Sequence, residues 1–310
     1  MKLEVSSPVR RGGFTVIELL IATAVGVIIL GASISLIISN RRVYELDRLR
    51  TELNQNLRGA LDLLGTDIRL AGQGLPADFP ALSIGGGGTV LTVRTSRIST
   101  VLSVCQTVAA NASSILVAED GNSTPGCARV PISLTDTRHS PMAQFEAERT
   151  RGGATTEVAY IYDPATLCND TTRVRGEFFT YSGASNPASG PVILQKTGSD
   201  LSRPYPVGSR IYLLEQRVYS LEQDGNELQL SVNGGAAQGV ATHISGVSFQ
   251  AFVSGSTTPV TSFCNALGQT LLWKTLGRVS VRINGAIPAR GTSLRRSLEA
   301  DFLPRNVLSR

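Results

Sequence analysis

A single carboxylate, Glu18, lies in an otherwise apolar run from Phe14 to Ser39, 26 residues with no other ionisable side chain. A carboxylate at the centre of a bilayer costs about 2.5–3.5 kcal/mol, and less near the end of a span. Its presence therefore asks for a cation. Cleavage between Gly13 and Phe14 would supply one, because the new α-amino group of Phe14 would stand four residues before Glu18, on the same face of a helix. A carboxylate at that position also complements the positive end of the helix dipole. The amine of a neighbouring chain would serve as well, and would then fix how far one helix is displaced along the next. The alternative is an interfacial carboxylate that reaches back to the headgroups.

Other chemistry is thinly supplied. The two histidines, His139 and His243, stand far apart, and no G-x-S-x-G context marks a nucleophile; both read as ordinary loop or strand residues. The run Gly85–Gly88 is not followed by Lys-Ser/Thr, so it reads as a flexible loop and not a phosphate cradle. Trp273 reads as part of a sheet core or rim. We expect no catalytic site, no metal centre and no cofactor. Four cysteines, Cys105, Cys127, Cys168 and Cys264, all follow the apolar run, and none has the C-x-x-C spacing of a zinc or redox site. Their even number suits two disulfides in an oxidising compartment. Cys105 with Cys127 is the natural local pair, which leaves Cys168 with Cys264. Four buried thiols in a cytosolic domain are the alternative.

The elements that must position these residues are legible in the periodicity. The run from Phe14 exceeds the roughly 20 residues that cross a bilayer as a helix. The A-x-A triplet Ala22-Thr23-Ala24 lies inside it, with apolar chain continuing to Ile38, so a retained helix is expected instead of a cleaved secretory signal. Lys2, Arg10 and Arg11 precede the run and Arg41, Arg42, Arg48 and Arg50 follow it, so basic residues alone set no orientation. Beyond it, Val43, Leu46, Leu49, Leu53, Leu57, Leu61, Leu64 and Ile68 recur at steps of three or four, the spacing of a buried helical stripe. The first proline after the run is Pro76, preceded by Gly72 and Gly74, a helix stop. One helix is thus predicted over 14–71, about 85 Å long. Residues 14–39 suit a membrane, and residues 40–72 suit packing against a globular region, 73–310.

That region reads as β. Strands are predicted at Thr89–Thr95, Ser114–Glu119, Glu157–Tyr162, Glu177–Tyr181, Pro191–Gln195, Arg210–Leu221, Glu227–Val232, Val247–Val253, Gly277–Asn284 and Leu298–Phe302. Asp224-Gly225 sits between two alternating runs and predicts a hairpin. Residues 120–155, broken by Pro125, Pro131 and Pro141, read as a loop-rich insertion. The fold class expected is α+β, a long N-terminal helix on an antiparallel sheet domain. Charged residues make up 17% of the chain and the net charge is +5. That modest excess gives little support for nucleic-acid binding. Arg278, Arg282, Arg290, Arg295 and Arg296 cluster late, and a solvated sheet face accounts for them.

Arg10-Arg11-Gly12-Gly13-Phe14-Thr15-Val16-Ile17-Glu18-Leu19-Leu20 resembles the class III signal of type IV prepilins and type II secretion pseudopilins. The resemblance implies residues 1–13 as a cytoplasmic leader, cut after Gly13 by a prepilin peptidase. It implies N-methylation of Phe14, Glu18 as the assembly carboxylate, the type IV pilin fold, and the cysteines outside the cytoplasm. Leu64-Gly-Thr-Asp-Ile-Arg-Leu-Ala-Gly72 and Leu303-Pro-Arg-Asn-Val-Leu308 resemble the helix end and C-terminal ending of PilW-type minor pilins and J-type pseudopilins. Ile244–Phe249 falls where that group has a late strand, whereas residues 75–205 resemble nothing in it. The implied function is that of a PilW-like minor pilin, not an enzyme. It would be held in the bacterial inner membrane by one span, with its C-terminal domain in the periplasm and later at the cell surface. Its partners would be other minor pilins or pseudopilins and the inner-membrane assembly platform, and it would help initiate or cap a type IV pilus. A J-type pseudopilin of a type II secretion system is the near alternative. A DNA-binding minor pilin is another, although loss of residues 1–13, with three basic and one acidic side chain, lowers the net charge from +5 to +3. A signal-anchored extracytoplasmic protein that joins no filament is the third.

Overall fold

The computed structural model describes residues 15–75, 79–118, 141–166, 175–185, 192–222, 226–260, 275–289 and 292–305. The fold is α+β. Helix α1 runs unbroken from Val16 to Leu70, about 80 Å at 1.5 Å per residue. It ends where the glycines were expected to end it: Ala71 caps the helix, Gly72 takes φ 79°, and Gly72 N donates to Arg94 O at 2.9 Å. Its two halves differ completely in packing. Nothing between Thr15 and Arg48 is buried, while Leu53, Leu57, Ala60, Leu61, Leu64 and Ile68 are.

Two antiparallel sheets receive that second half. The first has five strands in the order β1 (Leu82–Gly85), β2 (Val90–Ser96), β9 (Leu214–Leu221), β10 (Glu227–Val232), β11 (Gln238–Thr242). The second runs β13 (Pro259–Val260), β12 (Ile244–Val253), β14 (Leu276–Ala289), β15 (Thr292–Phe302). Leu91, Val93, Tyr219 and Leu228 of the first and Val247, Phe249, Val279, Val281 and Ile283 of the second share one core with α1. The period-2 alternation that predicted these strands is the alternation of core and solvent faces along them.

Between β2 and β9 the chain makes a separate body. Strands β3 (Leu102–Val104), β4 (Ser114–Ala118), β5 (Glu157–Tyr162), β6 (Gly176–Ser185), β7 (Val192–Thr197) and β8 (Arg210–Tyr212) close a barrel in the order β3-β4-β7-β6-β5-β8. Helix α2 (Pro141–Arg149) packs on it, with Met142 and Phe145 in the barrel core and Tyr181 Oη donating to Phe145 O at 2.8 Å. Sequence reading placed residues 141–149 in a loop-rich stretch. The structure corrects this: Pro141 stands at a helix start, where its missing N–H costs nothing, and Met142, Ala143 and Phe145 form a buried face too short to show as a periodic stripe. The predicted strand Arg210–Leu221 is also two strands. It breaks at Leu213, where the chain leaves the barrel for the sheet and Leu213 O accepts from Arg97 N at 2.8 Å. Gly85–Gly88 is no loose loop but a tight turn joining β1 to β2, with φ of 57°, 66° and 99° at Gly86, Gly87 and Gly88.

Candidate functional site

Glu18 is bound by the start of its own helix. Thr15 is the N-cap, and its Oγ1 accepts from Glu18 N at 3.3 Å. In return the Glu18 carboxylate accepts from Thr15 N at 3.0 Å and from Thr15 Oγ1 at 3.1 Å. This reciprocal capping box satisfies donors that a helix start otherwise leaves bare. The signal for it is present in the sequence as the spacing Thr15-x-x-Glu18. The other polar side chains of the apolar half are satisfied in the same local way. Thr23 Oγ1 donates to Leu19 O at 3.0 Å and Ser33 Oγ to Ile29 O at 2.8 Å, so neither requires water or a partner helix. Among the described residues α1 is the one helix long and apolar enough to cross a membrane.

Gly13 and Phe14 lie outside the described residues, as do Cys127, Cys168 and Cys264. Cys105, just past β3, is disulfide-bonded, and the choice of its partner falls outside the described residues. His139 and Trp273 also fall outside them. His243 sits in the turn from β11 to β12 at φ 62°, with Nδ1 3.3 Å from Asn56 Nδ2 and 4.0 Å from Glu52 Oε1. Thr242 Oγ1 lies 3.3 Å from the same nitrogen and accepts from Asn56 Nδ2, so this group ties the sheet to α1. No group of three His, Cys, Asp or Glu side chains that could hold a metal occurs among the described residues.

The helix end Leu64–Gly72 acquires a physical reason for its residue types. Gly65 is the seat of Phe302: a Cβ there would overlap the Phe302 ring. Arg69 covers the same ring from 5.1 Å. Asp67 is 3% exposed and accepts from Arg217 Nη1 at 2.6 Å and from the Tyr219 hydroxyl. Burial first, and then the Asp67 carboxylate, pushes the Tyr219 hydroxyl far above its ordinary range, so it stays a donor. Burial opposes the Arg217 charge, but Asp67 and Glu215 outweigh it and hold the guanidinium protonated. Lower down, Gly285 of β14 lets the sheet approach the helix; a Cβ there would stand 2.6 Å from Leu53 Cδ1 and 3.0 Å from His243 O. These contacts fix where the helix meets the sheets.

The late arginines are not alike. Arg278 lies 3.6 Å from Asp301 and 4.3 Å above the Phe252 ring, and Arg282 pairs with Glu299 at 2.7 Å. The Arg282 contact, with Ser280, holds the Glu299 carboxyl below its ordinary range. Arg295 and Arg296 are exposed with no carboxylate beside them among the described residues, and Arg290 falls outside. No protein-family model matches this chain, and neither a curated protein nor a solved structure matches it.

Proposed function

We propose that this chain is a pilin-type subunit, a PilW-like minor pilin that helps initiate or cap a type IV pilus, and not an enzyme. In this reading α1 crosses the inner membrane once, a prepilin peptidase removes residues 1–13 and methylates Phe14, and the globular region stands in the periplasm. The type IV pilin fold is part of the proposal. The observation that carries it is the division of α1. Its first half is apolar and exposed over its full length, and its second half is buried against antiparallel sheets. A soluble protein has no use for fourteen large apolar side chains exposed between Val16 and Ile38; a subunit that exchanges lipid for the helices of other minor pilins does. The capping box gives Glu18 a local partner while the helix waits in lipid, and the free amine of a cleaved Phe14 would then compete for the same carboxylate.

The deciding measurement is the intact mass and N-terminal sequence of the protein purified from its own membrane. The expected N-terminus is Phe14 with one added methyl group, and Gly13→Leu should abolish processing. A chain that retains Met1 or Lys2 at its N-terminus in the cell overturns the proposal. Glu18→Ala should be processed normally and enter filaments poorly; equal incorporation would remove Glu18 from the assembly step.

A further inference from the structure

The four-stranded sheet carries its charge unevenly. On the face turned away from α1, cation and carboxylate pair at one end, Arg278 with Asp301 and Arg282 with Glu299. At the other end Arg295 stands opposite Ala286 on that same face, whereas Arg296, opposite the helix-facing Gly285, projects from the α1 side of the edge strand. Neither has a carboxylate within ion-pair distance among the described residues, and Arg295 Nε donates to Ser293 Oγ at 3.2 Å. Both border an open groove of about 570 Å³ that also takes in Ser245, Asn284 and Ser297. Gly285 and Ala286 also line it, so guanidinium, amide and hydroxyl groups stand beside a small apolar patch, with no acid.

This end of the sheet faces the apolar half of α1. Phe302, paired with Val279, sits on Gly65, whereas Gly285 sits on Leu53 and Leu57. Along β14 the chain therefore runs back down the helix, about 20 Å of strand against roughly 15 Å of helix. The β14–β15 hairpin continues past Gly285 in the same direction. Further down, Arg41, Arg42 and Arg48 of α1 are exposed, and Arg50 is tied to Asp47 at 3.2 Å. The remaining carboxylates of that stretch are Glu45 and Glu52, the latter 4.0 Å from His243 Nδ1.

We propose that this end of the molecule binds the phosphate groups of anionic lipids, at the membrane surface through which α1 emerges. Arg295 takes the oxygens of one phosphate, with Asn284 and Ser297 of its own face and Ser245 beside them adding hydrogen bonds, and Arg296, on the other face of the edge strand, takes a neighbouring headgroup. Guanidinium groups suit this ligand because their planar fork matches two phosphate oxygens at once. An upright helix leaves these groups about a Debye length, ~8 Å, above the headgroup layer. A tilt of about 20°, common for single spans, closes most of that gap. The contact would hold the domain down on the bilayer. It rests on α1 crossing a membrane and not on the filament reading, so it can fail or survive independently of processing at Gly13.

The test is hydrogen exchange of the full chain in nanodiscs of phosphatidylcholine, with and without phosphatidylglycerol. Amides of Asn284–Ala286 and Arg295–Ser297 should exchange several-fold more slowly in the anionic discs. The slowing should vanish at about 0.5 M salt, where screening shortens to a few ångströms. It should also vanish in the double variant Arg295→Gln/Arg296→Gln, with exchange over Leu53–Ile68 unchanged as proof of fold. Equal exchange in the two discs overturns the proposal. Slowing by inorganic phosphate in neutral discs would make this a free-anion site, and slowing by duplex DNA but not by anionic discs would make it a nucleic-acid site; either result overturns the lipid assignment.

Discussion

Asp67 holds the helix to the sheet at one point. Its two acceptor bonds come from Arg217 and Tyr219, 150 and 152 residues further along the chain. Asp67→Ala would leave the buried Tyr219 hydroxyl without its acceptor and the Arg217 guanidinium with Glu215 alone. Breaking a fully buried pair costs about 3–5 kcal/mol. The Arg217 side chain is 36% exposed, so water recovers part of that and about 2–4 kcal/mol is expected. Thermal melts should show the midpoint falling by about 5–10 °C, and Tyr219→Phe, which removes one hydrogen bond to a buried carboxylate, should cost about 1.5–3 kcal/mol. A fall no larger than that of Tyr219→Phe would show that Glu215 alone suffices for Arg217. The residue types were readable in the run Leu64–Gly72, but not their roles. Gly65, Asp67 and Arg69 each act on a residue that only the folded chain brings near. Thr15 and Glu18, three residues apart, close a local ring, and that part of the site was within reach of the sequence.

At the scale of elements, α1 has two tasks, and each half meets one. Its buried stripe begins near Leu53, so residues before Asn40 add no tertiary burial. A chain of residues 40–310 should therefore be soluble and melt within about 2 °C of the full chain, since what is removed stabilises nothing in the domain. Leu57→Ala in the same truncated chain should cost about 2–5 kcal/mol, the usual range for emptying a fully buried aliphatic site. Circular-dichroism melts of both chains decide this, and a large loss on truncation would mean the first half supports the domain after all. The helix was legible because one stripe repeats over many turns. Glu227–Val232 was legible because apolar and polar residues alternate along it, and Glu157–Tyr162 because it is a short apolar, aromatic-rich run. β3 has only three residues, β11 is exposed at four of five, and β13 has two. Strands that short or that exposed carry no alternation to read, and pairing to neighbours distant in sequence is what makes them strands.

At the scale of the whole molecule, the barrel is a guest in the first sheet. Its chain leaves at Ser96 and returns at Leu214, and these two residues face each other in the β2–β9 register. An excursion whose ends are strand partners can be cut out and its stem closed with a two-residue turn. Deleting 97–213 and joining Ser96 to Leu214 through Asn-Gly, the favoured hairpin turn, should leave a folded helix-and-sheet domain once Cys264 is changed to Ser. The excised segment 97–213, with Cys168→Ser to leave an even number of thiols, should fold as well. It keeps its own core, in which Leu102, Ile115, Phe145, Ile161, Leu194 and Ile211 have no exposure. What it loses is Phe79, which packs at 4.8 Å from Tyr162 and 4.9 Å from Tyr212 by ring centroids. A missing buried phenylalanine costs about 3–5 kcal/mol, so the excised barrel should unfold in one cooperative transition below that of the intact chain. A segment that shows no transition, or a deletion that unfolds the remainder, would mean the Phe79 cluster joins the two bodies into one cooperative unit. No sequence pattern could have announced the barrel, because closure depends on β3 meeting β8 and β4 meeting β7 across most of its length. The stretch that resembled nothing is where most of this second body lies. Its attachment beyond the buried end of α1, on the side away from the apolar half, lets it vary without disturbing the seat that Gly65, Asp67 and Gly285 hold.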